Sequence, residues 1–308
     1  MIRILLTGVS GQVGSALRGP LCSIGTVLAA DRTILDLSRP ESLLAALDKL
    51  SPDLIINPAA YTSVDQAEDE PELAHRVNVV APQVLARWAA NHGVPMVHFS
   101  TDYVFNGSGD RPWREDDSTE PLSVYGASKL AGEAAIREAG GSHLILRTSW
   151  VFASRGKNFL TTIVKLARDR QELRVVADQI GAPTSAQSIA QALISIISRK
   201  GPHEQDSGVN LIKHRFAEAD GLVHMSDKGE TSWHGFASAI VGGLRSRGVQ
   251  LAVCNIIAID SKDFPTKAPR PLNSRLDMAR LEQVYGIQMP DWRQALDVEL
   301  DQMSFSTS

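Results

Sequence analysis

The residues whose types and spacing are best suited to acid–base catalysis lie between positions 100 and 129. Tyr125 and Lys129 are four residues apart, so on a helix they share one face. A free tyrosine keeps its proton until about pH 10, and a nearby lysine ammonium lowers that pKa. Such a pair can act as a general acid or base near neutral pH. Thr101, after an apolar run, offers a hydroxyl that can hold a carbonyl oxygen, so these three residues are the predicted catalytic group.

The elements that must position this group begin with a strand, a glycine turn and a helix. The apolar run at residues 3–7 predicts a buried strand, and the pattern at residues 15–21 predicts a helix. Glycines between them allow a sharp turn and a close approach to a pyrophosphate, whose charge suits the helix N-terminus. The turn therefore predicts dinucleotide binding by Gly8, Gly11, Gln12, Val13 and Gly14.

Two residues after the next apolar run bear on the choice of cofactor. Asp31 can bind the adenosine ribose hydroxyls, whereas Arg32 can bind a 2′-phosphate. The two residues act in opposite directions, and the alternative reading of Arg32 is a solvated loop charge, so both NADPH and NADH stay open. Asp36 and Leu37 are expected to flank the adenine.

The first half of the chain alternates strands with helices. Further strands are predicted at residues 53–57, 95–99 and 143–148, and helices at residues 72–92 and 123–139. The alternation predicts an α/β fold, a Rossmann-type doubly wound parallel sheet over residues 1–150. Because ligands bind beyond the carboxyl ends of such strands, one crevice should collect Gly8, Asp31, Ala60, Thr101 and Thr148.

Residues 151–308 predict a smaller, partly discontinuous α/β domain that mainly binds substrate. Helices predicted at residues 185–199 and 233–247 are expected to pack back on the first domain. The segment 201–220 is polar and has no period, which predicts an exposed irregular excursion, and residues 304–308 read as a frayed tail.

Composition excludes several classes of protein. The 308 residues have a net charge of −4, so no basic field indicates nucleic acid or an anionic membrane as a partner. No apolar run reaches the roughly 18 residues that a membrane span needs. The chain enters a strand pattern at once, so a signal peptide is not expected and the predicted location is cytoplasmic.

The sequence does not predict a metal site or a disulfide. Cys22 and Cys254 are too few for either and are expected to be buried. The acidic run at residues 65–72 reads as the start of a helix. The remaining candidates, which lack ligand spacing, are His203, His214 and His224.

Taken together, the motifs resemble the extended short-chain dehydrogenase/reductase family over nearly the whole chain, apart from residues 203–219. They are Gly8-x-x-Gly11-Gln12-Val13-Gly14, Asn57-Pro58-Ala59-Ala60-Tyr61-Thr62-x-Val64-Asp65, Ser100-Thr101-Asp102-Tyr103-Val104-Phe105, Tyr125-Gly126-x-x-Lys129, Arg147-Thr148-Ser149-Trp150-Val151, Asp178-Gln179-x-Gly181-Ala182-Pro183-Thr184 and Arg270-Pro271-x-Asn273-Ser274-Arg275-Leu276.

This resemblance implies NAD(P)H-dependent reduction of the C4 keto group of a dTDP-6-deoxy-4-ketohexose to dTDP-L-rhamnose. It implies that Tyr125 protonates the C4 oxygen, that Lys129 lowers the tyrosine pKa and holds the nicotinamide ribose, and that Thr101 binds the reacting oxygen. Further cofactor contacts are implied for Ala59, Ala60, Tyr61 and Ser100. Substrate contacts are implied for Thr62, Val64, Thr101, Asp102, Tyr125, Trp150 and Arg270, with Arg275 as an alternative for the diphosphate.

Other readings of the same motifs stay open. A dehydratase of this fold carries a glutamate where this chain has Tyr103, which argues against dehydration. An epimerase would use the same tyrosine and lysine but keep its NAD through turnover. A regulatory subunit without activity could retain the cofactor site.

Some reductases of this family bind Mg²⁺ through glutamates at a dimer interface. At the corresponding positions this chain has Ala16, which offers no ligand, and Gln187, which offers a neutral amide. A requirement for Mg²⁺ is therefore doubtful. The expected assembly is a monomer, or a homodimer formed through another surface.

Overall fold

The computed structural model of the protein describes residues 1–198 and 208–304. Its strands are β1 (Ile2–Leu6), β2 (Gly25–Ala29), β3 (Leu54–Asn57), β4 (Met96–Thr101), β5 (His143–Thr148), β6 (Val151–Phe152), β7 (Glu172–Val176), β8 (Ile180–Gly181), β9 (Thr184–Ser185), β10 (Leu222–His224), β11 (Thr231–Ser232) and β12 (Asn255–Ile259).

The α-helices are α1 (Gln12–Arg18), α2 (Leu43–Leu50), α3 (Val64–Ala67), α4 (Pro71–His75), α5 (Ala81–His92), α6 (Val124–Glu138), α7 (Phe159–Asp169), α8 (Ala186–Ser198), α9 (Val209–Glu218), α10 (Trp233–Ser246), α11 (Ala279–Tyr285) and α12 (Trp292–Asp301). A π-helical segment, Arg76–Val80, joins α4 to α5. Short 3₁₀ helices span Pro20–Ser23, Pro40–Ser42, Asp102–Val104 and Ser261–Asp263.

The central sheet has six parallel strands in the order β2-β1-β3-β4-β5-β10. Both β3 and β4 are buried along their whole length, as strands covered on both faces must be. The predicted Rossmann-type α/β fold is confirmed.

Alternate residues of the strands enter two separate hydrophobic cores. On β1, Ile4 and Leu6 pack with α1, α8 and α9, whereas Leu5 packs on the opposite face with α2 and α5. This alternation is the two-residue period of a pleated strand. It places helices on both faces of the sheet, so that both faces are covered.

A third core lies around the second sheet, in which β7 and β12 pair in parallel. Its members come from α7, α10 and α12, including Phe236, Ile240 and Leu244 of α10. The expectation that the helix at residues 233–247 packs on the first domain is therefore wrong, because its apolar face meets α7 and β7. Helix α8 does pack beside α1. A domain division near residue 150 stays a prediction.

The prediction that residues 201–220 form an exposed, irregular segment is wrong for residues 208–220, which the structure describes. Helix α9 occupies Val209–Glu218, and Ile212 and Phe216, one turn apart, are buried in the core beside the sheet. Two apolar residues suffice for this short helix, which is why no clear period is visible in the sequence. Residues 201–207, and residues 305–308 of the predicted tail, lie outside the described residues.

Both cysteines are free and exposed, so their predicted burial is wrong. Cys22 follows the buried Leu21 in a short 3₁₀ helix, which turns the thiol toward solvent. Within residues 1–198 and 208–304 there is no helix with the length and apolar character that a membrane span requires.

We predict that Glu133→Gln lowers the free energy of unfolding by about 3 kcal/mol, because it leaves a buried guanidinium without its counter-charge. Glu133 Oε1 and Oε2 accept hydrogen bonds from Arg147 Nε at 2.9 Å and Nη2 at 2.7 Å, in a pair that ties α6 to β5. Urea denaturation measures the loss. The matched control is Glu138→Gln, which alters an exposed carboxylate of the same helix. Equal midpoints for both variants would contradict the prediction.

Candidate active site

A cavity of about 1370 Å³ opens beyond the carboxyl ends of the first five strands. Residues at or just beyond these ends line it, such as Gly8 after β1, Asp31 after β2, Pro58 after β3 and Ser100 near the end of β4. Every predicted cofactor residue lies on its wall, namely Gly8, Gly11, Gln12, Val13, Gly14, Asp31, Arg32, Asp36, Leu37, Ala59, Ala60, Tyr61, Ser100, Tyr125 and Lys129. The convergence expected from the strand ends is thus present, except that Thr101 stands behind the wall.

Glycine is required at two positions of the turn by close backbone contacts. Gly8 has φ +57°, and a Cβ there would lie 2.9 Å from the backbone of Ala59. A Cβ on Gly14 would lie 2.2 Å from the Gly8 carbonyl oxygen. These contacts hold α1 close to the turn and leave the turn bare of side chains, which is the shape that a pyrophosphate needs.

Three buried polar atoms on this wall have no hydrogen-bond partner among the described residues. They are Gln12 Oε1, Ser100 Oγ and Thr148 Oγ1. Buried polar groups are normally paired, so their position on a large crevice indicates a polar ligand. The shape of the turn and these atoms together fit a dinucleotide cofactor.

At the outer end of the crevice, Asp31 is engaged by its own loop. Its Oδ1 accepts hydrogen bonds from Thr33 N at 2.9 Å and Thr33 Oγ1, and these bonds hold the pKa of Asp31 below its usual value. Arg32 is exposed and has no ion-pair partner within the described ranges. An unpaired guanidinium on the crevice wall is available for a phosphate.

Helix α6 brings Tyr125 and Lys129 to the inner end of the crevice. It begins at Ser123, whose Oγ accepts a hydrogen bond from Gly126 N at 3.1 Å. Burial raises the pKa of Tyr125 to about 12, opposed by a hydrogen bond with Thr101, and burial lowers the pKa of Lys129 to about 8.

The predicted lowering of the Tyr125 pKa by Lys129 is wrong for this structure. The Lys129 ammonium donates to the Phe99 carbonyl oxygen at 2.6 Å and lies 3.1 Å from His98 Nε2. It is therefore held by strand β4 and not by the phenol, and desolvation dominates the pKa of the tyrosine.

Thr101 and Asp102 lie directly behind the tyrosine. Thr101 Oγ1 donates to Asp102 Oδ1 at 3.1 Å and accepts from Tyr103 N at 3.2 Å. Burial raises the pKa of Asp102 to about 7. The Tyr103 ring meets the Tyr125 ring edge-on, with centroids 5.7 Å apart.

Two of the predicted substrate residues, Thr62 and Tyr125, line the cavity. The others do not, namely Val64, Thr101, Asp102, Trp150 and Arg270. Arg270 lies near the tyrosines, because its guanidinium is 6.0 Å from the Tyr103 ring centroid, but it is paired with Asp65 at 2.7 Å. Val64 begins α3 beside this pair.

Arg275 and Trp150 are each engaged with other side chains. Arg275 is bound to Glu230 at 2.9 Å. Trp150 has φ +47° and stacks on Trp233 with centroids 3.6 Å apart. Close packing on Gly181, where a Cβ would lie 2.7 Å from the indole, helps to hold this strained residue.

Sequence reasoning missed several residues around the crevice. Asn78, on the π-helical segment, accepts from Tyr61 N at 2.8 Å and donates to the Tyr61 carbonyl oxygen at 3.1 Å, which fixes the backbone beside the cofactor wall. An asparagine inside an apolar helix pattern is the signal that could have found it. Arg155 and Lys157, in the loop after β6, also line the crevice, and no periodic pattern marks such a loop.

Near α12 the crevice is lined by two amides and one carboxylate, those of Gln187, Gln302 and Glu299. Gln302 Nε2 donates to Gln187 Oε1 at 2.8 Å, and Ala16 lies on the same wall. In the part of the chain that the structure describes, there is no group of three or more His, Cys, Asp or Glu side chains that could hold a metal ion.

Comparison with known proteins relates this crevice to a family. The family model described as RmlD substrate binding domain matches residues 2–305. A dTDP-4-dehydrorhamnose reductase of Burkholderia thailandensis is 44% identical over 297 residues, covering 96% of this chain and 97% of that protein. The enzyme of the same name from Escherichia coli K12 is 39% identical over 311 residues, covering both chains fully (100% of each).

A solved structure of dTDP-4-dehydrorhamnose reductase from Bacillus anthracis in complex with NADP superposes with a TM-score of 0.85 at 30% identity, covering 98% of this chain and 99% of that chain. Since both the family match and the full-length relatives span almost every residue, the chain belongs to the RmlD family, that of the dTDP-4-dehydrorhamnose reductases.

Proposed function

We propose that the protein reduces the C4 keto group of a dTDP-6-deoxy-4-ketohexose with NADPH and so forms dTDP-L-rhamnose, with NADH as a second possible cofactor. Relatives that carry the name of this activity support the proposal. The observation that carries it is that Tyr125 and Lys129 line the same crevice as the glycine turn. A proton donor and a dinucleotide site therefore share one space.

The cofactor would be held by the residues on the crevice wall. The turn from Gly8 to Gly14 suits the pyrophosphate, with Arg155 and Lys157 supplying positive charge on the same wall. Asp31 and Arg32 suit the adenosine ribose and its 2′-phosphate. When bound, the reduced nicotinamide supplies a hydride for carbon C4.

The chain itself must supply a proton to the C4 oxygen. Burial keeps Tyr125 protonated up to about pH 12, so the phenol is the acid that reduction requires. Thr101 is proposed to bind the same oxygen, for which its hydroxyl must exchange its hydrogen bond to Asp102 for one to the substrate. Lys129, whose ammonium contacts the Phe99 carbonyl oxygen and His98 Nε2, is proposed to hold the nicotinamide ribose.

The substrate half of the site is proposed from residues around this tyrosine. Thr62 lies on the wall, and Asp102 and Val64 lie behind it. Trp150, rigid in its stack, would form a face of the sugar pocket. Arg270 beside Tyr103 would face the diphosphate, which must compete with Asp65 for the guanidinium.

The test of this function is NADPH oxidation by the pure protein with dTDP- and UDP-linked 4-ketosugars. Stoichiometric formation of the 4-hydroxy sugar from the dTDP substrate is expected. Interconversion of sugars without net oxidation of NADPH would indicate an epimerase instead. A protein that binds NADPH but turns over none of these sugars would agree with a regulatory subunit.

We predict that Tyr125→Phe lowers single-turnover reduction by about 10²–10⁴-fold while NADPH binds almost as before, because the ring still packs and only the proton donor is lost. Stopped-flow absorbance measures reduction, and fluorescence titration measures binding. Tyr285→Phe is the control, since it removes a buried tyrosine hydroxyl that donates to the Arg215 carbonyl oxygen outside the crevice. A loss of less than about tenfold would exclude Tyr125 as the general acid.

We predict that Arg32→Ala weakens NADPH binding by about tenfold or more and leaves NADH binding unchanged, because only NADPH presents a 2′-phosphate to the guanidinium. Calorimetric titration with both cofactors measures the difference. Arg39→Ala is the matched control, because Arg39 is an exposed arginine of the same loop whose Nε lies 3.8 Å from Asp36 and which does not line the crevice. Equal weakening of both cofactors would show that Arg32 does not bind the phosphate.

We predict that turnover does not require Mg²⁺ and that Mg²⁺ does not promote dimerisation. The positions that the family resemblance points to carry Ala16 and Gln187, whose amide is paired with Gln302. Glu299, a carboxylate that lines the same crevice, already accepts a hydrogen bond from Ser154 N at 2.6 Å. Activity after exhaustive EDTA dialysis, and mass by light scattering with and without Mg²⁺, test both points. Activity lost to EDTA and restored by Mg²⁺, or a dimer that forms only with the ion, would refute the prediction.

The assembly itself is proposed to be a monomer, or a homodimer through another surface, and the location cytoplasmic. Light scattering in the absence of the ion addresses the first, and cell fractionation the second.

A further inference from the structure

We propose that His98 is a positioning residue for the reaction: it holds the Lys129 ammonium at the base of the crevice through a buried hydrogen-bond chain that runs across three strands to Thr7. The part of this proposal that concerns kcat rests on the proposed function, because it assumes the role that is given above for Lys129. His98 itself does not line the crevice.

The chain is continuous and closed to solvent. Thr7 lies 2.6 Å from the Asn57 side-chain oxygen, the Asn57 amide nitrogen lies 3.1 Å from His98 Nδ1, and His98 Nε2 lies 3.1 Å from Lys129 Nζ. All four side chains are at most 2% exposed. The only other partner of the lysine among the described residues is the Phe99 carbonyl oxygen at 2.6 Å. His98 therefore supplies one of the two contacts that fix the ammonium.

A neutral imidazole has one donor and one acceptor nitrogen, so the protons in this chain must be consistent from end to end. If the amide nitrogen of Asn57 faces Nδ1, then Nε2 carries the proton and Lys129 must accept it as a neutral amine. If Lys129 is an ammonium, then Nε2 accepts, Nδ1 donates, and the amide oxygen of Asn57 must face the imidazole. The orientation of such an amide is an assignment and not an observation, so the chain accommodates both states.

The consequence is that Lys129 cannot change its protonation state independently of His98. An acceptor nitrogen 3.1 Å away favours the charged lysine, whereas burial disfavours it and lowers the pKa of Lys129 to about 8. His98 stays neutral, because burial and the lysine charge hold its pKa well below its usual value. The other titratable or charged groups around this helix face are Tyr125, Glu133, Asp102 and Arg147.

The test compares His98→Leu with His98→Gln in the pH dependence of kcat and of NADPH binding. Leucine removes the acceptor and leaves apolar surface, so the alkaline limb of both profiles should move to lower pH by about one unit, and kcat at pH 8 should fall by about fivefold. Glutamine can place an oxygen where Nε2 stands, so the alkaline limb of the His98→Gln variant should lie at the same pH as that of the native protein, or at a higher pH.

The matched control is His224→Leu, which removes another fully buried imidazole, one that does not line the crevice. The alkaline limb of the pH profiles of this variant should stay at the same pH as in the native protein. If His98→Leu does not fold, His98→Asn replaces it, because asparagine is too short to reach Lys129 and should behave like leucine.

A purely structural role would lower kcat for these variants without moving the limb, and an unmoved limb in His98→Leu or His98→Asn would overturn the proposal. Failure of the proposed function is recognised separately: the native protein would then turn over no ketosugar, while the pH dependence of NADPH binding would still report on His98. A binding limb that is unchanged across all variants overturns the inference whatever the substrate proves to be.

Discussion

The proposed site depends on how tightly helix α6 is inserted against the sheet. Two glycines permit this: a Cβ on Gly126 would lie 2.3 Å from the Tyr103 carbonyl oxygen, and one on Gly132 would lie 2.1 Å from that of Asn78. The buried pair of Glu133 and Arg147 then ties the helix to β5. A buried ion pair adds little net stability but strongly penalises any displacement that separates its charges. The helix is thereby held in the one position that sets Tyr125 beside Thr101.

The same burial determines the proton chemistry at this helix. Desolvation favours the neutral form of both functional side chains, so it raises the pKa of Tyr125 to about 12 and lowers that of Lys129 to about 8. The tyrosine is thus kept as an acid, and the lysine is left close to the pH at which it changes charge. For this reason the contacts of Lys129 with Phe99 and His98 matter more than they would in a solvated lysine. A reductase needs such an acid, since hydride addition leaves negative charge on the ketone oxygen.

Much of this arrangement could be predicted from the sequence, because it follows from local patterns. The glycine spacing indicated the turn, and the tyrosine–lysine spacing indicated one face of a helix that the structure places at Val124–Glu138. Periodicity shows which face of a helix is buried but not what covers it, and the expected place of α10 was wrong for that reason. Likewise, the spacing of Tyr125 and Lys129 could not reveal that Lys129 binds strand β4, because that contact joins residues 30 and 31 positions apart. The exposed Cys22 shows the same limit for a single residue.

The second half of the chain completes the fold that the first half begins. Strand β10 pairs with β5, and α8, α9 and α11 contribute Ile189, Phe216 and Leu281 to the core on one face of the sheet. Without them, the apolar face formed by Ile4, Leu6 and their neighbours would be open to water on that side. The core beneath the crevice is therefore completed by residues beyond position 150, even though the first 150 residues carry most of the crevice wall. Among these segments, α8, α9 and β10 follow Trp150 and precede Arg270, so they lie in sequence between two residues that are proposed for the sugar site. Ile189 of α8 and Phe216 of α9 therefore support the crevice from within this core, since neither residue lines the crevice itself.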